Sequence, residues 1–379
     1  MKIMISSGSR GEWGYYQPII AELESRDIQY DVVFFNMAPL DEFGNLKRHV
    51  ENSLGASSIF YYFNSYHGDD YYAMAKSYSS LTASISDHLA NHAYDFVLIA
   101  GDRIEQLAVA SIAHIMYVPV GHIQAGELSG NVDGVTRHAI GRLVKAHFAA
   151  NTDAEQRLLS SGEESERVFL TGAPQLDDMF NYDGTHTDAV APVFESSELF
   201  VLCVFHGVTE ELQEALEGFR NLLNILVQQN HPVVYVLPNN DAGGVVIRNL
   251  ILENRRPNDF IFKNLQRCDY LKLLKNAVFI IGNSSSGLLE APVFQQVAVN
   301  IGGRQANRVR GSNVIDCEYE SASILTAIRG VPNRKAQLLN APGVESPYGI
   351  SPASPKIVDC ICKMVSSHRH LLSNRGLTF

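Results

Sequence analysis

Residues able to exchange protons concentrate in one glycine-rich segment, Gly121-His122-Ile123-Gln124-Ala125-Gly126-Glu127-Leu128-Ser129-Gly130-Asn131-Val132-Asp133-Gly134-Val135-Thr136-Arg137-His138. It opens on an apolar run, and Asp102 stands just beyond the preceding run, Phe96-Val97-Leu98-Ile99-Ala100. Carboxylates gathered in a partly dry cleft, here Asp102, Glu127 and Asp133, are what proton transfer at a sugar carbon requires. Taken singly, each is more often an N-cap or an ion-pair partner, so the cluster carries the reading and no one residue does. His122 and His138 have neither HExxH nor paired-cysteine spacing, and no metal site is expected.

A second segment suits an anion. Gly282-Asn283-Ser284-Ser285-Ser286-Gly287-Leu288-Leu289-Glu290-Ala291-Pro292 follows another apolar run and is expected to open a helix. Small residues let the backbone approach a ligand, and free N–H groups at a helix N-terminus favour phosphate. A serine-rich N-cap without a ligand would have the same composition. Neither the Gly-Lys-Ser/Thr of a P-loop nor GxGxxG is present, which points to a nucleotide diphosphate outside those two cofactor folds. Further on, Gly302-Gly303-Arg304-Gln305-Ala306-Asn307-Arg308-Val309-Arg310-Gly311 sets three arginines within seven residues. That is a local cationic patch suited to a diphosphate, or else a solvated loop. Arg10 and His206 stand just after apolar runs where they would face the same cleft, whereas His67, His147 and His231 read as structural.

The elements that must position these groups are legible as alternation. Strands are expected over 2–6, 31–35, 96–100, 118–123, 199–205, 233–237, 278–281 and 297–301, with helices over 15–24, 104–115 and 211–228. Such alternation predicts α/β architecture with doubly wound parallel sheets. Residues 176–197 are polar and turn-rich. The expected division is therefore 1–176, a linker over 177–197, and 198–379, with the last helix a candidate to pack back on the first domain. Single cores stop growing near ~250–300 residues, so two domains fit a chain of 379. Ligands of such folds bind at the carboxyl ends of the strands.

Lys and Arg number 30 against 41 Asp and Glu, a net charge of −11, so the chain has no global field for nucleic acid or an anionic membrane. An anion must find a local site. Five cysteines without CxxC spacing read as reduced thiols of a cytoplasmic protein. The apolar start is too short for a signal peptide, and no stretch approaches the ~18–20 apolar residues of a membrane span.

Six motifs occur in a telling order: Gly101-Asp102-Arg103, Gly126-Glu127-Leu128-Ser129-Gly130, Arg137-His138, Pro238-Asn239-Asn240-Asp241, Gly282-Asn283-Ser284-Ser285 and Gly303-Arg304-Gln305. Together, from Gly8 to at least Arg310, they resemble the hydrolysing UDP-N-acetylglucosamine 2-epimerases of sialic acid biosynthesis. The resemblance implies a GT-B fold, two Rossmann-like domains with a nucleotide sugar between them. It implies conversion of UDP-N-acetylglucosamine and water to N-acetylmannosamine and UDP, without a cofactor, in a homodimer or homotetramer. By the same resemblance Ser284 and Ser285 would contact phosphates, flanked by Gly282, Asn283, Ser286 and Gly287. Glu290 would hold the ribose, Arg304 the nucleotide end, Asn239 would belong to the same site, and Arg10 would reach the diphosphate from the first domain. Asp102 and Asp133 match catalytic acids, Arg137 a residue that holds the site together, and His206 a histidine usually followed by Pro, where this chain has Gly207.

Gln124 stands where non-hydrolysing relatives commonly carry Glu, which leans the chain toward the hydrolysing branch. The second acid that often follows Asp133 is Gly134 here, and the family's Tyr-Gly-Asp-Gly is Tyr348-Gly349-Ile350-Ser351. Related 2-epimerases of the legionaminic acid type, glycosyltransferases on the same scaffold, non-hydrolysing epimerases and a non-catalytic nucleotide-sugar sensor are the competing readings.

Overall fold

The computed structural model describes residues 1–36, 38–40, 55–64, 66, 71–128, 132–196, 199–239, 242–341, 346–349 and 352–372; at 10, 132, 133 and 367–372 the backbone path alone is described. Two parallel sheets organise it. The first takes β1 (Lys2–Ser7), β2 (Gln29–Phe35), β3 (Ser58–Tyr62), β4 (Phe96–Ala100), β5 (Val120–Ile123), β6 (Ala146–Ala149) and β7 (Val168–Leu170) in the order β3-β2-β1-β4-β5-β6-β7. The second takes β8 (Val201–Val204), β9 (Val233–Val236), β10 (Phe260–Phe262), β11 (Ile280–Gly282), β12 (Ala298–Ile301) and β13 (Val314–Cys317) in the order β10-β9-β8-β11-β12-β13.

β4 shows why its sequence is a continuous apolar run. Phe96, Leu98 and Ala100 pack into one layer with Trp13, Tyr16 and Ile19 of the helix Arg10–Ser25. Val97 and Ile99 pack into the opposite layer with Leu81, Ile85, Val109 and Ala113 of the helices Tyr71–Asn91 and Ile104–Ile115. A strand covered on both faces has no polar side. The second sheet is built likewise, with Val201 and Cys203 in one core and Leu202 and Val204 in the other.

Each sheet reverses its winding once, between β1 and β4 in the first and between β8 and β11 in the second. Loops diverge above such a point and leave a crevice at the strands' carboxyl ends. The first crevice is bounded by Gly8–Ser9 and by Gly101–Arg103, the second by Phe205–His206 and by Asn283–Ser285.

The first helix starts at Arg10, five residues ahead of the periodic stretch. Ser9 Oγ accepts the Glu12 N–H at 3.4 Å, and Glu12 accepts the N–H groups of Gly8 at 2.6 Å and Ser9 at 3.2 Å. This reciprocal cap winds the loop after β1 directly into helix. Between the sheets the chain runs through the short helical turns Asp177–Phe180, Asp188–Val190 and Ala191–Glu195. The last helix, Ser354–Leu372, lies on the first domain: Ile357, Val358, Ile361 and Val365 enter the core of Trp13 and Tyr16. Its start is fixed by the Asp177 carboxylate, which accepts the N–H groups of Ala353 at 2.8 Å and Ser354 at 2.7 Å. Among the described residues no helix is long and apolar enough to cross a membrane.

Candidate active site

Arg137 is the centre of the first-domain half. It projects from the helix Val132–Leu143, is 1% exposed, donates through Nη1 to the Gln124 carbonyl at 2.7 Å, and forms an ion pair with Asp102 through Nη2. One guanidinium thus fixes the loops after β4 and β5 together. Gly101, at φ +81°, supplies the left-handed turn that brings Asp102 round to it. His122 reinforces the same turn, with Nε2 donating to the Gly101 carbonyl at 2.6 Å. Burial lowers the His122 pKa to about 3, so the ring is neutral and this N–H is retained.

Glu127 is 2% exposed, accepts from Asn151 Nδ2 at 2.9 Å, and meets Arg308 Nε at 3.1 Å as an ion pair. Burial pushes its carboxyl above the ordinary range, opposed by Arg308 and Arg137. Gln124 is held at φ +59°, and both polar atoms of its amide are buried without a hydrogen-bond partner among the described residues.

The second-domain half is a cleft wall formed by Ser284, Ser285, Ser286, Glu290 and His206, facing Trp13 and Tyr15 of the first domain. Tyr15 joins the two halves. Desolvation holds its hydroxyl well above the usual phenol range, opposed by Arg308 and Arg137 and aided by Asp102 and Glu290.

Several of the residues singled out in the sequence also have structural partners. Asn283 is fully buried: its Oδ1 accepts the His206 N–H and its Nδ2 donates to the His206 carbonyl, both at 2.8 Å. It therefore ties the His206 loop to the serine loop and does not line the cleft. Gly282, at φ +139°, has the Val204 carbonyl 2.0 Å from where a Cβ would sit, and a Cβ on Gly287 would be 3.0 Å from Ala298, so both glycines serve packing. The hydroxyl of Ser286 meets that of Tyr270. The expected helix is one turn, Ser286–Leu289, followed by the 3-10 turn Ala291–Phe294, too short to carry much of a macrodipole.

Among the described residues, two of the three arginines meet carboxylates, and Arg304 does not. Arg304 donates to the Asn283 carbonyl at 3.2 Å, Arg308 faces Glu127, and Arg310 pairs with Asp316. Asn239 is half-buried on the loop after β9, its carbonyl packed against Gly244. Asn240, Asp241, Ile350, Ser351, His67 and the side chains of Arg10 and Asp133 lie outside the described residues. Gly207 has a local reason: a Cβ there would stand 2.0 Å from the Ala242 carbonyl.

Other contributors carry no local signal. Arg267 opens the helix Arg267–Asn276, pairs with Glu290 and with Asp178, and donates to the Gln175 carbonyl. Those partners lie 23, 89 and 92 residues away. Trp13 and Tyr15, on the helix Arg10–Ser25, also line the cleft and were not among the residues singled out in the sequence.

With two crevices, one rich in hydroxyls and the other in arginine-held carboxylate, the arrangement suits anion binding beside proton transfer. The family model described as UDP-N-acetylglucosamine 2-epimerase matches residues 21–362. The chain belongs to this family. A UDP-N,N'-diacetylbacillosamine 2-epimerase (hydrolyzing) of Legionella pneumophila is 32% identical over 340 residues, 88% of this chain and 89% of the relative. A UDP-N-acetylglucosamine 2-epimerase of Neisseria meningitidis is 29% identical over 330 residues, 86% of each. In fold, a crystal structure of UDP-GlcNAc 2-epimerase from Neisseria meningitidis bound to UDP-GlcNAc matches with a TM-score of 0.77 at 20% identity, over 96% of this chain and 100% of that one. The two-domain GT-B-like architecture expected from the motifs is the one observed.

Proposed function

We propose that this member of the family is a hydrolysing 2-epimerase, taking UDP-N-acetylglucosamine and water to N-acetylmannosamine and UDP. The observation that carries the reading is the Asp102 carboxylate, held by buried Arg137 at one switch point, with Tyr15 of the same domain facing the serine-lined wall at the other. In this reading residues 1–176 work on the sugar, 198–379 hold the nucleotide, and 177–197 connect them. Ser284 and Ser285 donate to the diphosphate, with Arg10 reaching it from the first domain, and Glu290 accepts from the ribose hydroxyls.

The bond from carbon 1 to the diphosphate oxygen breaks first, because carbon 2 is a weak acid until positive charge develops at the ring. Loss of the carbon 2 proton then gives a 2-acetamidoglucal and UDP. Water adds its oxygen to carbon 1, and a proton enters carbon 2 from the opposite face, inverting that centre. Two proton-transfer groups on different faces are required, and Asp102 and Asp133 take those roles. Gln124 supports the hydrolysing outcome, since a carboxamide cannot serve as an acid or base there.

A second reading has the same chemistry on a sugar bearing a further acetamido group at carbon 4. The Legionella relative, at 32% identity, is named for such a substrate. An NMR time course in deuterated water separates these readings. Free N-acetylmannosamine with deuterium at carbon 2, together with UDP, is the expected product from UDP-N-acetylglucosamine. Epimerised UDP-sugar would point to the non-hydrolysing type. Turnover of the diacetylated sugar alone would select the second reading.

A further inference from the structure

We propose that Arg308 and Glu127 form a latch across the two domains, in which Glu127 is a positioning residue and exchanges no proton with the substrate. The inference rests on the reading of the cleft given above and assigns work inside it. Glu127 follows β5 in the first domain, and Arg308 follows the turn Gly303–Gln305 in the second; they are 2% and 8% exposed.

On the second-domain side the contacts run in series to the serine loop. Arg308 Nη1 donates to Gln305 Oε1 at 3.0 Å, and Gln305 Nε2 donates to the Asn283 carbonyl at 3.0 Å. Asn283 in turn holds both backbone groups of His206. On the first-domain side Asn151 occupies Glu127 Oε1, while the neighbouring Gly126 carbonyl accepts from Arg157 at 2.7 Å. Three residues earlier the Gln124 carbonyl is held by Arg137, which carries Asp102. A shift of the serine loop on binding a diphosphate is therefore felt through Gln305, Arg308 and Glu127 at the segment that orients Asp102.

The same contacts remove Glu127 from proton transfer. One carboxylate oxygen is held by Asn151, and the other faces a guanidinium at 3.1 Å as a charge pair outside hydrogen-bond geometry; the guanidinium accepts no proton at working pH. The charged groups around it are Arg308, Arg137 and Asp102. The thermodynamics suit a reversible catch. Desolvating two charges and pairing them nearly cancel, so the pair stabilises the closed arrangement only slightly while fixing its geometry, and on opening both charges regain water.

A double-mutant cycle tests the latch. Glu127→Gln and Arg308→Gln are each expected to lower kcat at least about tenfold. UDP affinity, read by titrating the fluorescence of Trp13 in the cleft wall, should change less than about threefold. Arg308→Lys should recover part of kcat, which also guards against a misfolded Arg308→Gln. The double variant should be no slower than the slower single, and the pH profile of kcat should keep its shape in all of them.

Losses that multiply in the double variant would overturn the latch. So would a profile that loses one limb in Glu127→Gln and keeps it in Arg308→Gln, because Glu127 would then be exchanging a proton. A wild-type chain that does not bind UDP would sink the reading of the cleft as well, whereas binding and turnover with an additive cycle would sink the latch alone.

Discussion

Asp102 and Gln124 hang on one guanidinium, yet they answer differently to substitution. Asp102→Asn keeps the shape and a partner for Arg137 while removing the only charge state that can take a proton. General acid–base groups contribute roughly 10²–10⁴-fold, so kcat should fall within that range while the UDP dissociation constant from calorimetry stays within about threefold. Unchanged kcat would remove Asp102 from the chemistry. Gln124 has two buried polar atoms without partners among the described residues, an arrangement that costs about 1–3 kcal/mol in a folded chain. Gln124→Leu is therefore expected to raise stability by about 1 kcal/mol in urea unfolding and to lower turnover at least about tenfold. A variant both less stable and fully active would show the amide to be structural. Asp102, Arg137, Glu127, Ser284 and Glu290 stand beyond the carboxyl ends of strands, where the sequence motifs that hold them place them. Asn283, Gly282 and Gly287 have structural partners that the sequence did not disclose, because a close backbone approach demands the same small or amide residues whether the neighbour is a ligand or Val204. Arg267 left no trace, since its partners are distant in sequence.

At the scale of elements, the turn from β1 into the first helix is built on a carboxyl that pays for its burial in pH dependence. Glu12 is pushed up to about 8 from 4.5, by burial first and by Glu105 second. The folded chain thus holds a proton that the unfolded chain releases near 4.5. The contribution of Glu12 to stability is complete below that value and is lost as pH rises toward 8. Glu12→Gln keeps an acceptor for the Gly8 and Ser9 N–H groups. It should match wild type at pH 5 and exceed it by about 3–4 kcal/mol at pH 8 in urea unfolding. Equal pH slopes would place the titration elsewhere. The loop after β8 is constrained by sterics: Gly207→Ala forces a Cβ to within 2.0 Å of the Ala242 carbonyl and must displace His206. Melting should show a loss of about 2 kcal/mol, with kcat/KM falling alongside it. The strands read from the sequence were β1, β2, β4, β5, β8, β9, β11 and β12, whose runs are apolar because both faces are covered. β3, β7, β10 and β13 are sheet edges with partly exposed residues, and β6 is four residues long with a histidine among them. β7, β10, β13 and β6 are runs of three or four residues, too short to stand out from a loop, whereas the aromatic run of β3, Ile59-Phe60-Tyr61-Tyr62, is a strand signal that the alternation did not take up.

At the scale of the whole molecule, the first strand and the last helix belong to one domain. The helix Ser354–Leu372 is contiguous with the second domain in sequence, but its apolar face completes the first-domain core beneath Trp13 and Tyr16. The surface contact Arg26–Asp359, at 2.5 Å with both side chains at least 31% exposed, contributes little to that docking. The fully buried Ile361 contributes much more, since truncating such a side chain leaves a cavity and costs about 2–4 kcal/mol. Because that cost falls in the first domain, Ile361→Ala should lower the transition of the half bearing Asp102 and leave the half bearing Ser284 and Glu290 near its wild-type temperature. Calorimetry with and without saturating UDP resolves the two, as a ligand seated mainly on the second domain raises that domain's transition by mass action. One cooperative transition that moves as a unit under both perturbations would instead mean that the returning helix and the Glu127–Arg308 contact join the halves into a single folding unit. Domain motion in turnover would then have to occur without local loosening of either core. The separated outcome is the one the architecture favours, because each sheet has apolar layers on both its faces and the last helix crosses between the domains without entering the second core.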